Sequence, residues 1–325
     1  MSSVSLTAAI LMAFAAVSGG DRRDSPPPEV GAGHIEWRIE RASSDSPEGW
    51  VQFELGYRID GHSQMYGTDV PLTALDGLSA AQRSATADQS VAFTLHRDAG
   101  DFRCAGTMDH GSGEGGCAFT ANPGFGPGLA RRGVAAPALD QQFELAFMNI
   151  GYDYVDELKR QAYATPTPDD LVHAGEHGAS LKQLRAFDAA GYRFHDLAAL
   201  SRVRDHGVSA RFIEALRVDG YVGVPAEDLV RLRDHGVGTS YVEALKASGY
   251  SKLSVETLVR LRDHGVSTGF VTELRSMGYG ALSPDELVRL ADHGVRAGFI
   301  RTANRDGAHL SPDQLIDLRD RGGRD

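Results

Sequence analysis

Histidines recur in the C-terminal half of the chain at a spacing of 29 residues. The five members of this column are His177, His206, His235, His264 and His293. Imidazole is the commonest metal ligand in proteins and titrates near neutral pH, so such a column could bind metal ions or relay protons. Packed helices lie about 10 Å apart, however, whereas zinc–nitrogen bonds are about 2 Å long. Neighbouring members of the column are therefore too far apart to share one metal ion.

A second group of residues matches a zinc-peptidase motif. His173, Glu176 and His177 fit the pattern H-x-x-E-H, in which two histidines one helical turn apart bind zinc and the glutamate polarises water. The positions of His173 and Glu176 hold arginine and aspartate in the later repeats, so one change of arginine to histidine creates the match. A zinc-dependent hydrolase using these three residues is therefore the alternative to a non-enzymatic role, for which no cofactor is expected.

The histidines belong to a tandem repeat that must be built from short helices. Units such as VSTGFVTELRSMGYGALSPDELVRLADHG contain two apolar-periodic segments separated by Gly-Tyr. Helices this short are marginal in water, so each unit must bury its apolar stripe against neighbouring units. We predict 13 short helices between about residues 137 and 322. They would form an α-solenoid of about six helix-pair repeats over residues 137–325.

The end units favour a structural interpretation of the histidine column. Each histidine falls in the last turn of a helix, where it interacts favourably with the helix dipole, and the following glycine supplies a left-handed residue. One repeat before His177 these positions hold Met148 and Asn149, and in the last unit Arg321 replaces histidine. We therefore interpret the column as helix C-caps. We also expect the aspartate before each histidine to pair with an arginine of an adjacent turn or unit.

Two columns of arginine are the predicted contact rows for a partner, because arginine is favoured at protein interfaces. A solvated face is an equally good interpretation of the same pattern. The first column comprises Arg202, Arg231, Arg260 and Arg289, and the second comprises Arg204, Arg233 and Arg262.

Between residues 33 and 122 the apolar pattern changes to a period of two. Ile35, Trp37 and Ile39 alternate with polar residues, and residues 51–59 and 91–95 show the same alternation. This pattern predicts a small antiparallel β domain with one wet face. A short helix near residues 72–85 and a turn at residues 98–100 are expected to interrupt it. The fold class is therefore α+β.

The chain has two cysteines, and both fall in the last predicted hairpin. With His110 and Gly111 as the turn residues, Cys104 faces Cys117 at a non-hydrogen-bonded site, where the two backbones come closest. This arrangement predicts a cross-strand disulfide. The alternative is two buried thiols on the apolar face. A metal site is disfavoured because the chain has no further thiolate.

The same hairpin is rich in glycine, which indicates a flexible or closely approached backbone. Such a backbone is typical of a bulge and of a ligand loop alike, so a small-molecule or cell-envelope ligand bound by the β domain is a further hypothesis. The glycines are Gly106, Gly113, Gly115 and Gly116.

Residues 123–136 are predicted to be a linker between the β domain and the repeats. They include Gly124-Phe125-Gly126-Pro127-Gly128, in which a proline stands where a phosphate-binding loop would need a backbone N–H. The segment therefore does not indicate a nucleotide site.

The N-terminus resembles a secretory signal. Residues 1–20 contain a run of about 12 apolar residues followed by small residues, although no lysine or arginine precedes the run. The run is short for a membrane span, and residues 21–32 are a proline-rich tether. We therefore predict an exported protein, periplasmic or extracellular, with no stable membrane span after processing.

The net charge of −11 argues against nucleic acid as a partner, because phosphate binding needs a basic surface. An acidic surface mostly favours solubility. The composition, 42% hydrophobic and 24% charged, is that of a globular chain long enough for two domains.

The β region with its RDAGDF turn, followed by repeats of the form LVRLRDHGVS-x-x-F-[IV]-x-x-L-x-x-x-GY, resembles a group of largely uncharacterised bacterial exported proteins. Similar repeats form extracytoplasmic tails of some penicillin-sensing-type transmembrane metallopeptidases. The resemblance covers about residues 33–322 and implies a sensing or partner-binding role outside the cytoplasm. It transfers no catalytic site, because this chain has neither the multiple membrane helices nor the H-E-x-x-H helix of those peptidases. We expect a non-enzymatic protein that presents a helical-repeat surface to an unidentified protein or peptide partner in the cell envelope.

Overall fold

The computed structural model describes residues 34–40, 49–59, 62–305 and 307–322. The predicted signal segment 1–20 and tether 21–32 lie outside these residues. Within them the chain forms a seven-stranded antiparallel sheet followed by a helical array, which confirms the α+β class. No helix in the described ranges is long and apolar enough to cross a membrane.

The strands pair in the order β3-β2-β1-β7-β6-β5-β4. One face of the sheet is buried, as the period of two predicts: Ile35, Trp37 and Ile39 are buried and the residues between them are exposed. The strands are β1 (His34–Glu40), β2 (Trp50–Ile59), β3 (His62–Pro71), β4 (Leu75–Asp76), β5 (Gln89–Arg97), β6 (Gly100–Asp109) and β7 (Ser112–Ala121).

The sheet is strongly curled around its apolar face. The ring centroids of Phe53 on β2 and Phe93 on β5 are 6.0 Å apart, although four strand spacings separate these strands. In a flat sheet that separation would be about 19 Å. Trp37 belongs to the same cluster and packs edge-on against Phe93, with 4.9 Å between the two ring centroids. The curl lets a single sheet enclose its own core.

The last hairpin has the predicted register. Cys104 lies opposite Cys117 and forms a disulfide with it. Their Cα atoms are 4.0 Å apart, which agrees with the closer of the two antiparallel pair types. His110 and Gly111 are the turn residues, and both have positive φ (47° and 86°). A two-residue hairpin with a type I′ turn requires positive φ at both positions.

The glycines of this hairpin make room for Trp37. Gly106 and Gly115 face each other across β6 and β7, and a Cβ atom added at Gly115 would lie 2.7 Å from Nε1 of Trp37. The same nitrogen donates a hydrogen bond to the carbonyl oxygen of Ala105 at 3.1 Å. The closely approached backbone is therefore the correct interpretation of these positions.

Two parts of the sheet region differ from the prediction. The expected helix near residues 72–85 is a 3₁₀ turn (Leu72–Ala74), the short strand β4 and the four-residue helix α1 (Ala80–Arg83). Strand β3 was not predicted, because an edge strand with one covered face needs few apolar residues: Val70 is buried and Tyr66 half-buried.

The described residues from Leu139 to Gly322 form thirteen helices, the number predicted. The odd-numbered helices stack on one another in one row and the even-numbered helices in a second, parallel row. The helices are α3 (Leu139–Phe147), α4 (Tyr152–Arg160), α5 (Pro168–Glu176), α6 (Leu181–Ala189), α7 (Leu197–Asp205), α8 (Ala210–Val218), α9 (Ala226–Asp234), α10 (Thr239–Ala247), α11 (Val255–Asp263), α12 (Thr268–Ser276), α13 (Pro284–Asp292), α14 (Ala297–Ala303) and α15 (Pro312–Gly322).

The segment 123–136, expected to be a linker, contains another helix, α2 (Phe125–Ala130). Helix α2 packs against α4 and so begins the even row. Phe125 and Leu129 are fully buried. Gly128 permits the contact, because a Cβ atom there would lie 2.2 Å from the hydroxyl oxygen of Tyr152.

The sheet and the helical array share one core. Phe143 on α3 stands edge-on to Tyr57 of β2 and Phe119 of β7, with 5.3 Å between ring centroids in both cases. Beside it, the side-chain amide of buried Gln142 donates to the carbonyl oxygens of Ala99 and Asn122 at 2.6 and 2.7 Å. The sheet therefore covers the N-terminal end of the odd row.

Candidate functional site

Each histidine of the 29-residue column is the C-cap residue of an odd-numbered helix, from α5 to α13. The following glycine has a φ between 66° and 70° in all five cases. At α7, Gly207 N donates to Arg204 O and Val208 N to Val203 O, which are the two hydrogen bonds of a Schellman motif. Asn149 takes the glycine position after α3 with a φ of 57°. The predicted capping role is confirmed.

The aspartates that precede His206, His235, His264 and His293 have a different partner from the one expected, and so does Asp320 in the last repeat. Each aspartate carboxylate contacts Nδ1 of a histidine in the preceding repeat, whereas an arginine was the expected partner. We call these five contacts the His–Asp row: His177–Asp205 (2.7 Å), His206–Asp234 (2.6 Å), His235–Asp263 (2.7 Å), His264–Asp292 (2.7 Å) and His293–Asp320 (3.0 Å).

The first arginine column also crosses the repeat boundary. Each guanidinium pairs with an acid in the first turn of the next odd-numbered helix, and we call these contacts the Arg–acid row. Both partners are substantially exposed, so each pair contributes little stability by itself. The pairs are Arg202–Glu227, Arg231–Glu256, Arg260–Asp285 and Arg289–Asp313.

The second arginine column packs on aromatic rings of its own repeat and lies beside the glycine that ends the preceding repeat. Arg233 lies over the ring of Phe212 and Arg262 over that of Tyr241, each with its guanidinium carbon 5.2 Å from the centroid. This distance is within the range of a cation–π interaction. Arg204 lies beside Gly178, the residue after the α5 cap. Both arginine columns therefore connect repeats, and both keep exposed surface.

In three of the Gly-Tyr pairs, the tyrosine forms a further connection between repeats that we did not predict. The hydroxyl of Tyr192 donates to Val224 O, that of Tyr250 to Leu282 O and that of Tyr279 to Leu310 O, at 2.7 to 2.8 Å. Burial raises the pKa of Tyr192 and Tyr250 above its ordinary value. The recurrence of tyrosine every 29 residues was the available signal.

The H-x-x-E-H match brings two imidazoles together. The ring centroids of His173 and His177 are 4.2 Å apart, and Glu176 is exposed beside them. Burial, followed by the charge of Glu176, raises the pKa of the nearby Glu144. No three histidine, cysteine, aspartate or glutamate side chains of the described chain come together as a metal-ligand group.

One repeat carries the two most exposed large apolar side chains of the part of the chain that the structure describes. Val218 and Val222 are 71% and 76% exposed, while the positions of Val222 in the other clear units hold Arg193, Ser251 and Gly280. Val222 lines a cavity of about 210 Å³ that we call the Val222 pocket. Its wall includes Tyr192, Ile213, Leu216, Tyr221 and Val224.

A wider and shallower depression lies on the exposed face of the sheet. Its volume is about 420 Å³, and Glu36, Glu54, Met65 and Glu114 are among the residues that line it. This is the surface that would serve the hypothesis of a ligand bound by the β domain. Its three carboxylates give it an acidic lining.

Similarity to known proteins does not identify either site. No protein-family model matches the chain, and no curated protein matches it. The resemblance of the repeats to those of exported bacterial proteins therefore stays a prediction.

Proposed function

We propose that this protein is a non-enzymatic, exported interaction or sensing protein, and that its helical array binds a protein or peptide partner through the Val222 pocket. The observation that carries the proposal is the exposure of Val218 and Val222 in one repeat, where Val222 lines a cavity shared with the preceding repeat. Exposed large apolar side chains grouped beside a cavity are typical of contact sites.

The size of the pocket favours a side chain of a partner over a free small molecule. Small-molecule sites usually measure about 300 to 1,000 Å³, whereas this cavity measures about 210 Å³. An apolar side chain inserted there would contact the apolar side chains of Ile213, Leu216 and Val224, which line the cavity. We therefore propose an exposed apolar residue of a protein or peptide as the anchor of the complex.

A binding role is also supported by what the repeated polar residues do. The histidine, aspartate, arginine and tyrosine columns all connect one repeat to the next. Such an array is a rigid stack with an extended surface, the arrangement that repeat proteins use for recognition. We keep the two arginine columns as proposed secondary contacts, since their guanidinium groups remain partly exposed.

Export is the second part of the proposal. The Cys104–Cys117 disulfide supports it, because disulfides persist in oxidising compartments and are rare in the reducing cytosol. We propose a periplasmic or extracellular location and a partner in the cell envelope.

Site-specific crosslinking in the host cell tests the binding site. A photo-crosslinking amino acid placed at Val222 is expected to capture a discrete protein, whereas the same amino acid at Ser251, the matching position of the next repeat, is not. Val222→Ser, which installs the residue type of that next repeat, should abolish capture by a crosslinker placed at the neighbouring Val218. Equal capture at positions 222 and 251, or none at 222, would contradict the proposal.

A further inference from the structure

The boundary between α5 and α7 departs from the Arg–acid row at both of its positions. Where the later boundaries pair an arginine with an acid, as in Arg202–Glu227, this one has His173 and Ala198. Ala198 stands at the position of the acid, and its methyl group cannot pair with an arginine. His173 instead lies against His177, its neighbour one helical turn away.

The two imidazoles form a pair on one face of the end of α5. Their ring centroids are 4.2 Å apart and their planes are inclined by 56°. His173 is exposed, and the side chain of His177 is 32% exposed. Two histidines four residues apart on a helix can direct ring nitrogens at one point, which is the geometry that metal-binding helices use.

Asp205 fixes the ring of His177. Its carboxylate lies 2.7 Å from Nδ1 of His177, and an ionised carboxylate only accepts hydrogen bonds, so Nδ1 carries the proton. The lone pair is then on Nε2. A histidine whose other nitrogen donates to a carboxylate is the usual form of a metal-ligating imidazole, because the contact sets its tautomer and orientation.

We propose that His173 and His177 form a binding site for a first-row transition-metal dication that prefers imidazole, namely Zn²⁺, Cu²⁺ or Ni²⁺. The two histidines are the protein ligands, Asp205 is a positioning residue, and water completes the coordination. Because the described residues offer no third ligand, the site is an open, exchangeable one. It has neither the four protein ligands of a structural zinc site nor the three of a hydrolytic one.

Glu176 adds to the attraction for a cation. It is exposed and lies between the two histidines in sequence, and Glu144 and Asp140 lie on the adjacent helix α3. A dication at the histidine pair therefore meets a local excess of negative charge. This inference is independent of the proposed function, because none of these residues lines the Val222 pocket.

Metal titration of the full chain tests the site, with Zn²⁺ followed by calorimetry and Cu²⁺ by electron paramagnetic resonance. We expect one principal equivalent of either ion, with two nitrogen ligands in the Cu²⁺ spectrum. His173→Arg should weaken binding by more than about tenfold and leave one nitrogen ligand. Arginine is the residue of the later repeats, so this variant is expected to fold, and it retains all five members of the His–Asp row.

Two further variants sharpen the test. Asp205→Asn should weaken metal binding by about tenfold, the usual effect of removing the carboxylate behind a ligating histidine. Arg202→His places a second histidine one turn before His206, whose Nδ1 is held by Asp234, and should create a second equivalent. Unchanged binding in His173→Arg, or a single nitrogen ligand in the unmodified protein, would overturn the proposal.

Discussion

At the scale of one residue, the close approach of Trp37 and the β6 backbone leaves room only for glycine at position 115. Gly115 lies opposite Gly106 beneath Trp37, and a Cβ atom added to it would lie 2.1 Å from Ala105 O as well as 2.7 Å from the indole nitrogen. No real Cβ contact is that short, so either the strand pair or the tryptophan would have to move. The indole would then lose the hydrogen bond that it donates to Ala105 O.

We therefore predict that Gly115→Ala destabilises the sheet by about 1 to 3 kcal/mol, the usual cost of overpacking a core. The free energy of unfolding in urea, followed by tryptophan fluorescence, measures the change. Gly116→Ala is the matched control in the same strand, because a Cβ atom there meets only Ile35 O, at 3.7 Å. Equal losses in the two variants would show that glycine flexibility, and not contact with Trp37, determines the stability.

The histidine column illustrates what residue type and spacing can establish and what they cannot. The spacing predicts that each histidine lies at a helix end, and Asn149 in the glycine position indicates a left-handed cap, which its φ of 57° confirms. The partner of each aspartate was predicted wrongly, because a repeat gives the order of groups along one unit but not which groups face each other across a boundary. His177 and Asp205 are 28 residues apart and meet only when the units stack.

At the scale of elements, the regular helices could be predicted and the irregular segments could not. Helix α13 begins with Ser283 as N-cap and Pro284 in its first turn, and its capping box includes Glu286. All three features can be recognised from the sequence alone. Helix α2 was missed because its sequence FGPGLA contains two glycines and a proline. Its stability comes from burying Phe125 and Leu129 against α4, which is tertiary information.

Glu157 joins neighbouring elements of the even row. It lies on α4, is buried, and accepts hydrogen bonds from Arg160, from Gln161 at 2.7 Å and from Arg185 of α6 at 3.5 Å. The hydrogen bond from Arg160 is the main cause that lowers the pKa of Glu157 from its ordinary 4.5 to about 2. The folded protein therefore holds the carboxylate ionised at a pH where the unfolded chain is already protonated.

This difference in pKa predicts an acid dependence of stability. The contribution of Glu157 is complete above about pH 4.5 and is lost as the pH falls towards about 2. Glu157→Gln, which keeps the shape of the side chain, should be less stable at neutral pH and should lose less stability on acidification. Unfolding midpoints in urea between pH 6 and pH 2 measure both curves. Parallel curves for the two proteins would show that Glu157 does not contribute to the acid dependence.

At the scale of the whole molecule, the sheet closes one end of a quasi-one-dimensional array. Phe143 of α3 enters the core of the sheet, so the first odd helix packs on strands on one side and on α5 on the other. From α5 onward, each helix contacts mainly its neighbours in the same row. Stability of such an array is approximately a sum of unit and boundary terms, so the loss of one complete unit leaves the remaining boundaries intact.

Deletion of a complete repeat should therefore be tolerated. Removing residues 237–265 joins Gly236 to Val266, and the new boundary brings His235 to Asp292 and Arg231 to Asp285, which are the same residue types that the native boundaries pair. Removing residues 252–265 alone deletes α11 and would place two even-row helices in succession. We expect the first variant to unfold cooperatively with a somewhat lower midpoint and the second to lose helical content and cooperativity. Circular dichroism during urea unfolding separates these outcomes. Similar behaviour of the two variants would mean that stacking in register is not what holds the array together.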